Sequence, residues 1–506
     1  MTTVPTAGDS TPLGRGLITG SIMLATIMQA LDTTIANVAL PHMQGSMSAT
    51  QDQISWVLTS YIVAAAIMTP ATGVLAAKLG RKRLFAGMVT GFTLASMLCG
   101  AAQSLEEIVL FRLLQGVFGA GLVPLSQSVL LDTYPPEKHG SAMAMWGVGV
   151  MVGPILGPTL GGYLTEYYNW RYVFYINLPF GILALLGILT FVPETVRDRS
   201  RSFDVFGFAL LSLAIGALQM MLDRGQSQDW FSSTEIVIEA IMVALFSYLF
   251  LVHMFTAKQP FLEPGLFRDR NLSIGLVLIF LIGVILLATM ALLPPFLQVL
   301  MGFPVVTTGY VLAPRGVGTM IAILIVGRLI GRVDPRLLLL TGIGLTAFSL
   351  WEMTAFTIEV PISAIVRTGI MQGLGLGFIF VPLSTVTFST LAPHYRNEGT
   401  AMFSLMRNIG SSIGISVVMT LLAQNTQANH ASLADLMTPF RQVLQAPWLP
   451  QAWNWQTETG VAALNAEVTR QAAAIAYLGD FHFMMWVTLA AAPLLLLMRK
   501  SKPKGA

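Results

Sequence analysis

The chain has 506 residues, of which 54% are hydrophobic and 10% are charged, and its mean hydropathy is +0.70. Soluble domains carry about 25% charged residues, so the composition excludes an ordinary water-soluble fold and indicates many membrane-spanning helices. The net charge of +3 comes without the basic blocks that bind nucleic acid, and one cysteine, Cys99, is too few for a disulfide framework or a thiolate metal site.

Apolar runs bounded by polar residues, proline or glycine predict fourteen membrane-spanning helices. In chain order they cover residues 15–40, 54–76, 84–103, 107–130, 141–164, 173–193, 204–222, 234–256, 272–296, 306–328, 336–356, 361–390, 398–423 and 480–498. Residues 1–14 and 499–506 are predicted as tails outside the membrane. The longest polar segment, 424–479, is predicted as a loop between the last two spans.

Basic residues are sorted to one side of this arrangement. Twenty of the 28 lysines and arginines fall in one set of loops and tails. The opposite loops hold Arg171, Arg224, Arg441 and Arg470. The last four lie within or at the ends of predicted spans and are Arg112, Arg315, Arg367 and Arg407. Because basic loops stay in the cytoplasm and an even number of spans returns the chain to its starting side, both termini are predicted to be cytoplasmic.

A short motif occurs twice in the chain with the same predicted membrane orientation. Gly121-Leu-Val-Pro124-Leu-Ser126, followed by Gly140-Ser-Ala-Met143, returns as Phe380-Val-Pro382-Leu-Ser384, followed by Gly399-Thr-Ala-Met402. The repeat predicts two six-helix halves, residues 15–196 and 261–498, with a two-helix insert at 197–260. The predicted fold class is therefore an all-α integral membrane bundle.

The fifth predicted span carries glycine and proline at a spacing of four residues. The residues concerned are Gly149, Gly153, Pro154, Gly157 and Pro158. Glycines four apart share one helical face and let a neighbouring backbone approach closely, while proline lets the helix bend. The pattern predicts an interface that moves during function, and ordinary small-residue packing is the alternative.

Several motifs together resemble one family. They are Leu31-Asp-Thr-Thr-Ile-Ala-Asn-Val-Ala-Leu-Pro41, Arg112-x2-Gln115-Gly116, the glycine and proline run, Trp170-Arg-x2-Phe-x-Ile-Asn-x-Pro179, and Leu222-Asp-Arg-Gly225 with Asp229-Trp-Phe231. Over nearly its whole length the chain resembles the major facilitator superfamily, and specifically its fourteen-helix EmrB/QacA-like drug:proton antiporters. The resemblance implies the major facilitator fold. The family's loop Gly73-x-Leu-Ala-x3-Gly80-Arg-Lys is also present, but Ala77 replaces its usual acid, which puts the cytoplasmic latch attributed to that acid in question.

Asp32 is a carboxyl group well inside the first predicted span. A charge there costs roughly 2.5–3.5 kcal/mol on insertion scales, so a functional reason is expected. We predict that Asp32 carries a proton and that Arg112 tunes its proton affinity, because burial raises that affinity and a nearby cation lowers it. The resemblance assigns the same roles. The alternatives are a structural acid bonded to Thr33 or Asn37, and an arginine that only clamps helices together.

Other polar residues of the predicted helices are candidates for the substrate cavity or its gates. Besides those of the fifth span, they are Asn37, Gln115, Arg315, Glu352, Arg367, Gln372 and Arg407. The segment Arg367-x4-Gln372-Gly373 loosely matches Arg112-x2-Gln115-Gly116. If several of these arginines face the cavity, they favour lipophilic weak acids or neutral compounds over permanent cations. Glu352 is a candidate second titrating group, with an interfacial position as the alternative.

These patterns predict a secondary active exporter of amphipathic compounds in a bacterial cytoplasmic (inner) membrane, driven by the proton motive force without a cofactor or metal. A proton-coupled importer, or an exporter of one metabolite, is the alternative on the same fold. The sequence lacks a metal-ligand cluster, a nucleophile–base set and a Walker motif, which argues against an enzyme or an ATP-driven pump. The resemblance implies a periplasmic adaptor and an outer-membrane channel as partners, with 424–479 as the candidate docking surface.

Overall fold

The computed structural model describes residues 12–195, 203–437, 453–454 and 456–498. Within these ranges it leaves out the side chains of Pro12, Leu13, Gln51, Asp52, Pro154, Pro158, Val305 and Val306. The described chain contains 14 helical segments long and apolar enough to cross a membrane. The predicted number of spans is therefore confirmed, and the protein is a multi-pass membrane protein.

In the described residues, sixteen α-helices form these segments. They are α1 (Pro12–Ser46), α2 (Gln51–Leu79), α3 (Arg81–Ala101), α4 (Leu105–Gly119), α5 (Leu122–Thr133), α6 (His139–Tyr167), α7 (Tyr172–Tyr175), α8 (Asn177–Phe191), α9 (Val205–Arg224), α10 (Thr234–Thr256), α11 (Arg270–Pro295), α12 (Val305–Leu329), α13 (Pro335–Met353), α14 (Ile362–Ser389), α15 (Arg396–Ala434) and α16 (Glu458–Ala490). The fourth span consists of α4 and α5, and the sixth of α7 and α8. Apolar runs become helices because a helix satisfies its own backbone hydrogen bonds, which lipid cannot do.

The last two spans extend further than predicted. α15 continues to Ala434 and α16 already begins at Glu458, so much of the predicted loop 424–479 is helical. Alanine, leucine and glutamine favour helix even where polar side chains leave the apolar run. We call the two extensions, residues 424–434 and 458–479, the outer hairpin. Residues 438–452 and 455 of the predicted loop, and most of the two predicted tails (1–11 and 499–506), lie outside the described residues.

Of the two inserted helices, α9 packs against both halves of the bundle, and α10 packs on α9. α9 contacts α2 of the first half, where Thr59 Oγ1 donates a hydrogen bond to Asp223 Oδ2 at 2.6 Å. It also contacts α15 of the second half, where the Ser416 hydroxyl donates to the Leu222 carbonyl at 2.9 Å. The motif that begins at Leu222 therefore fixes the insert across the seam between the halves.

The two halves contact each other on the side that carries the basic loops, here called the inner side. α6 packs on α12, while α2 and α5 pack on α15. An added Cβ at Gly140 would lie 2.0 Å from Ile330 Cγ2, and one at Gly73 would lie 2.9 Å from the Glu398 Cα. Such close approaches require glycine. Small residues therefore let the halves meet at the inner side.

A carboxylate joins the halves at this inner contact. Asp132, near the end of α5, is bound by Arg81 of its own half at 2.5 Å and by Arg396, the first residue of α15 in the other half. A carboxylate accepts both guanidinium groups because its two oxygens offer several acceptor sites. The inner contact thus has an acid supplied by α5, whereas Ala77 supplies none.

Candidate functional site

The glycine face of α6 packs against α1 within the first half. An added Cβ would lie within 3.0 Å of an α1 atom at Gly149, Gly153 and Gly157. At Gly153 this neighbour is the Ala30 backbone, 2.4 Å away, so the two helices approach each other closely. A different face of α6 meets α12, where an added Cβ at Gly147 would lie 3.2 Å from Ile323 Cδ1. The side chains of Pro154 and Pro158 are not among those described, so the role predicted for these prolines stays a prediction.

This packing holds α1 at the centre of the first half, where Asp32 meets Arg112. Arg112 Nη1 donates to Asp32 Oδ2 at 2.8 Å, which joins α1 to α4. The side chain of Asp32 is 0% exposed and that of Arg112 is 1% exposed, so the ion pair is fully buried. The two residues that sequence reasoning paired are therefore in direct contact.

Two amide side chains bind the other oxygen of the same carboxylate. Gln115 Nε2 and Asn177 Nδ2 each donate to Asp32 Oδ1 at 2.8 Å. Asn177 Nδ2 also lies 2.9 Å from the Ser96 hydroxyl oxygen, which links α8 to α3. Donors on three sides stabilise the ionised carboxylate in a low-dielectric interior. The site is thus a closed polar network made by four helices.

Arg112 is held in place by further contacts besides its acid partner. Its Nε donates to the Val57 carbonyl of α2 at 3.0 Å, and its Nη1 lies 2.8 Å from Gln115 Oε1. The guanidinium carbon lies 4.6 Å from the centre of the Tyr61 ring, which is cation–π distance. Arg112 therefore does clamp helices together, as the alternative interpretation has it, because it binds the backbone of α2. The same side chain also binds the Asp32 carboxylate.

The local partners considered for Asp32 do not bind it in the structure. Thr33 Oγ1 donates to the Ala30 carbonyl at 3.0 Å instead. Asn37 is exposed on α1, on the same helical face as Thr33. The alternative of an acid bonded to Thr33 or Asn37 is therefore wrong, and Asn37 stays a candidate for substrate contact outside the buried network.

The second half contains a counterpart of this site. Gln372 Nε2 lies 3.4 Å from Thr289 Oγ1, in the way that Gln115 binds Asp32. Gln372 and Thr289 each follow their first-half counterparts by 257 residues. Thr289 Oγ1 also lies 3.7 Å from the Met484 sulfur of α16, whereas the first-half acid contacts an asparagine of α8. The repeat keeps the glutamine but replaces the carboxyl with a hydroxyl.

A buried arginine reaches this counterpart from a different helix. Arg315 of α12 is 8% exposed, and its Nη2 lies 3.4 Å from the Leu286 carbonyl. Gly369 follows Arg112 by the same 257 residues, and an added Cβ there would lie 3.8 Å from Arg315 Cβ. In the part of the chain that the structure describes, no carboxylate pairs with Arg315. The counterpart therefore holds a cation without an acid.

The other arginines of the second half occupy different surroundings. Arg367 lies near the outer end of α14, where its Nη2 binds Glu352 Oε1 of α13 at 2.9 Å. Arg367 is 64% exposed, so it does not take the place of Arg112. Glu352, the candidate second titrating group, is the partner of this exposed arginine. Arg407 is partly buried on α15, and its carbonyl lies against Gly283 of α11. Of the three predicted arginines, Arg315 alone lies beside Gln372 and its neighbours.

Sequence reasoning did not single out three residues of these sites. Asn177 belongs to the motif that begins at Trp170, which marked it without revealing its partner. Asp132 closes the inner contact, and its polar surroundings at a helix end gave no distinct signal. Asp480 is 0% exposed in α16, and the apolar residues on both sides of it are the signal that was available.

The sequence profile of the family described as the Major Facilitator Superfamily matches residues 22–415 of the chain. The chain is 36% identical over 432 residues to the multidrug export protein EmrB of Escherichia coli K12, covering 85% of this chain and 84% of that protein. It is also 36% identical to the fatty acid resistance protein FarB of Neisseria gonorrhoeae over 429 residues, covering 84% of each chain.

Solved structures agree with this assignment at the level of the fold. The proton:xylose symporter XylE aligns with a TM-score of 0.65 and 13% identity, covering 98% of each chain. The human organic anion transporter MFSD10 aligns with a TM-score of 0.60 and 16% identity, covering 95% of this chain and 100% of that one. The all-helical fold and the residues matched identify the chain as a transporter that belongs to the Major Facilitator Superfamily.

Proposed function

We propose that the protein is a proton-coupled exporter of amphipathic compounds, which works by alternating access between its two halves. The observation that carries this proposal is the buried Asp32–Arg112 pair, because an acid at that depth is expensive to keep unless it functions. The similar protein EmrB is named a multidrug export protein, which supports the export direction.

The proposed coupling step is the exchange of a proton for the guanidinium partner of Asp32. Protonation removes the negative charge, so the ion pair with Arg112 and the donated hydrogen bonds weaken together. The freed arginine and the amides of Gln115 and Asn177 then rearrange, which loosens the contact among α1, α4 and α8. Each charge that crosses 100 mV supplies about 2.3 kcal/mol, and a pH gradient adds to this.

The contacts between the halves support a conformation closed at the inner side. α12 packs on α6, and Arg396 reaches Asp132 across the seam. In alternating access, such contacts break when the inner side opens. We infer that export proceeds from an inner-open state that loads substrate to the inner-closed state that releases it outward.

The second half supports a preference for lipophilic weak acids and neutral compounds. Arg315 is a buried cation beside Gln372, and the corresponding acid of the first half is replaced by Thr289. A substrate carboxylate supplies the missing charge and a charge-assisted hydrogen bond. FarB, which is similar in sequence, is named for fatty acid resistance, and MFSD10, which is similar in fold, is named for organic anion transport. Both names agree with this preference.

We further propose a bacterial inner-membrane location, with a periplasmic adaptor and an outer-membrane channel as partners. The similar protein EmrB comes from Escherichia coli, and the resemblance to its family implies both partners. The outer hairpin extends past the apolar part of α15 and α16 and is the candidate docking surface. Replacing residues 431–464 with a short glycine linker should abolish resistance in cells while leaving flux in proteoliposomes. Unchanged resistance would remove the hairpin from the proposal.

The decisive test is flux through the reconstituted full-length protein. Proteoliposomes are given an imposed pH gradient of either sign and a panel of radiolabelled lipophilic acids, neutral compounds and quaternary cations. The proposal expects substrate movement opposite to the proton movement, with the acids and neutral compounds preferred. Substrate movement in the same direction as protons would indicate an importer. Transport of a single metabolite would indicate a dedicated transporter. Transport of quaternary cations alone would exclude the preference for acids.

A further inference from the structure

Asp480 is a second fully buried carboxyl group, located in α16 of the second half. The residue is 0% exposed, and neither of its carboxyl oxygens has a hydrogen-bond partner among the described residues. A buried ionised carboxylate without a partner is strongly disfavoured, whereas the neutral acid is not. This conformation therefore favours the protonated form of Asp480.

The residue that follows Asp480 in α16 is packed among aromatic side chains. The adjacent Phe481 contacts the rings of Phe296 and Phe356 at 6.4 and 6.3 Å between centroids. Tyr477, three residues before Asp480, is the titratable residue on the same face of α16, whereas His482 on that helix is exposed. The neighbouring helices carry their charged groups elsewhere: Arg270 begins α11, Arg336 and Glu352 lie at the two ends of α13, and α15 carries Arg396, Glu398, Arg407 and His430.

A polar seam between α15 and α16 leads from the outer hairpin toward this acid. At its far end, His430 Nε2 lies 2.9 Å from Asn465 Oδ1. Nearer the membrane, Asn429 Nδ2 donates to the Ala472 carbonyl at 3.2 Å. Asn425 precedes Asn429 by one turn of α15 and lies closer to the membrane. Its Nδ2 would be 3.9 Å from a Cβ added at Gly479, the residue before Asp480.

Asp480 also lies close to the counterpart of the first-half site. Met484 follows it by four residues on the same face of α16 and contacts Thr289, which stands where the first half has its acid. The second half thus lacks a carboxyl at the repeat position but has one a turn further outward. The polar seam connects that carboxyl with the outer side.

We propose that Asp480 is a second proton-binding residue of the transport cycle, which receives its proton from the outer side along the α15–α16 seam. This inference rests on the proposed proton coupling. The step is simple binding: the carboxylate takes up one proton to form the neutral acid, and it releases that proton when the halves rearrange and expose it to the inner side.

The test measures the number of protons exchanged per substrate in proteoliposomes. The substrate gradient that just stops net flux is determined at several imposed pH gradients, for the wild type, Asp480→Asn and Asp480→Glu. We expect Asp480→Asn to retain uphill export with one proton fewer per substrate, and Asp480→Glu to keep the wild-type ratio. An unchanged ratio in Asp480→Asn overturns the proposal. Absence of coupling in the wild type would instead overturn the proposed function.

Two further measurements distinguish a proton-binding role from a structural one. Thr488→Val removes a buried hydroxyl of α16 that donates to the Met484 carbonyl at 2.7 Å, and it should leave the ratio unchanged. Infrared difference spectra between acidic and alkaline buffer should lose one protonated-carboxyl band in Asp480→Asn, or in Asp480→Ser if the asparagine variant does not fold. Retention of all wild-type bands contradicts the proposal.

The seam gives an independent prediction. Asn425→Leu should slow proton-driven export several-fold at limiting outer proton concentration, while leaving the proton-to-substrate ratio and substrate counterflow unchanged. Unchanged rates at every outer pH would exclude the α15–α16 seam as the route of entry.

Discussion

The two halves of the protein carry the same polar position in two different electrostatic states. In the first half, Asp32 is bound by Arg112 at 2.8 Å and by a glutamine. In the second half, the corresponding Thr289 is bound by Gln372, and Arg315 stands nearby without an acid. The two halves thus differ at this position by a few side chains. We interpret the first-half site as the place of proton exchange and the second-half site as the place where a substrate anion is neutralised.

The largest effect is expected from removing the cation of the first-half pair. Arg112→Met leaves Asp32 buried without its partner, which costs about 3–5 kcal/mol when one member of a buried pair is removed. We expect loss of export and a lower melting temperature in detergent, measured by transport and thermal unfolding. Arg367→Met, which removes an exposed arginine, is the matched control and should keep both. Wild-type export by Arg112→Met would contradict the assignment.

A large effect is also expected from widening the α1–α6 contact. A Cβ at Gly153 would lie 2.4 Å from the Ala30 backbone, whereas one at Gly162 meets nothing within 4 Å. Gly153→Ala should therefore destabilise the protein by about 1–3 kcal/mol, as overpacking does, and reduce export. Gly162→Ala should have neither effect. Thermal unfolding and flux of the two variants measure the difference, and equal behaviour would show that this close contact is unimportant.

An intermediate and selective effect is expected at Arg315. Its loss removes a charge-assisted hydrogen bond to an anionic substrate, which contributes about 1.5–3 kcal/mol. Arg315→Met should raise the KM for lipophilic acids by about tenfold or more and leave neutral substrates nearly unchanged. Competition assays with matched acid and neutral compounds provide the measurement. An equal loss for both classes would mean that Arg315 supports the fold rather than the anion.

The smallest effect concerns Asp204, which lies outside the membrane spans. Burial alone would raise the pKa of Asp204, but the backbone N–H groups of Gly207 and Phe261 and the ring of His253 outweigh it and lower that pKa. The stabilisation is therefore present above the ordinary carboxyl pKa of about 3.9 and is lost as the pH falls below it. Asparagine can still cap α9, but it turns the charge-assisted hydrogen bonds of Asp204 with His253 and Phe261 into neutral ones. Asp204→Asn should therefore cost about 1 kcal/mol at neutral pH, and the difference in melting temperature should shrink in acid. A constant difference would exclude this titration.

Much of the fold was predictable because lipid imposes simple rules. Apolar length predicted the fourteen spans, and the repeat around Pro124 and Pro382 predicted two related halves. The pairing of Asp32 with Arg112 was also predictable, since buried charges in membranes need partners. The helical outer hairpin was not, because hydropathy does not detect a helix that leaves the membrane.

Parts of the candidate site required the three-dimensional structure. Asn177 is far from Asp32 in sequence, and its role depends on how α8 packs beside α1 and α3. Arg315 enters the second-half site from α12, although the repeat would suggest an arginine from α14 at Gly369. Asp480 is the first residue of the last predicted span, and the sequence alone did not show that it is fully buried.

The most direct test of the central claim uses Asp32→Asn in proteoliposomes, because asparagine keeps the shape of the side chain but cannot exchange a proton. We expect this variant to fold, bind substrate and catalyse substrate counterflow, yet to lose export driven by a pH gradient. Full gradient-driven export by Asp32→Asn would contradict the assignment of Asp32 as the residue that couples protons to transport.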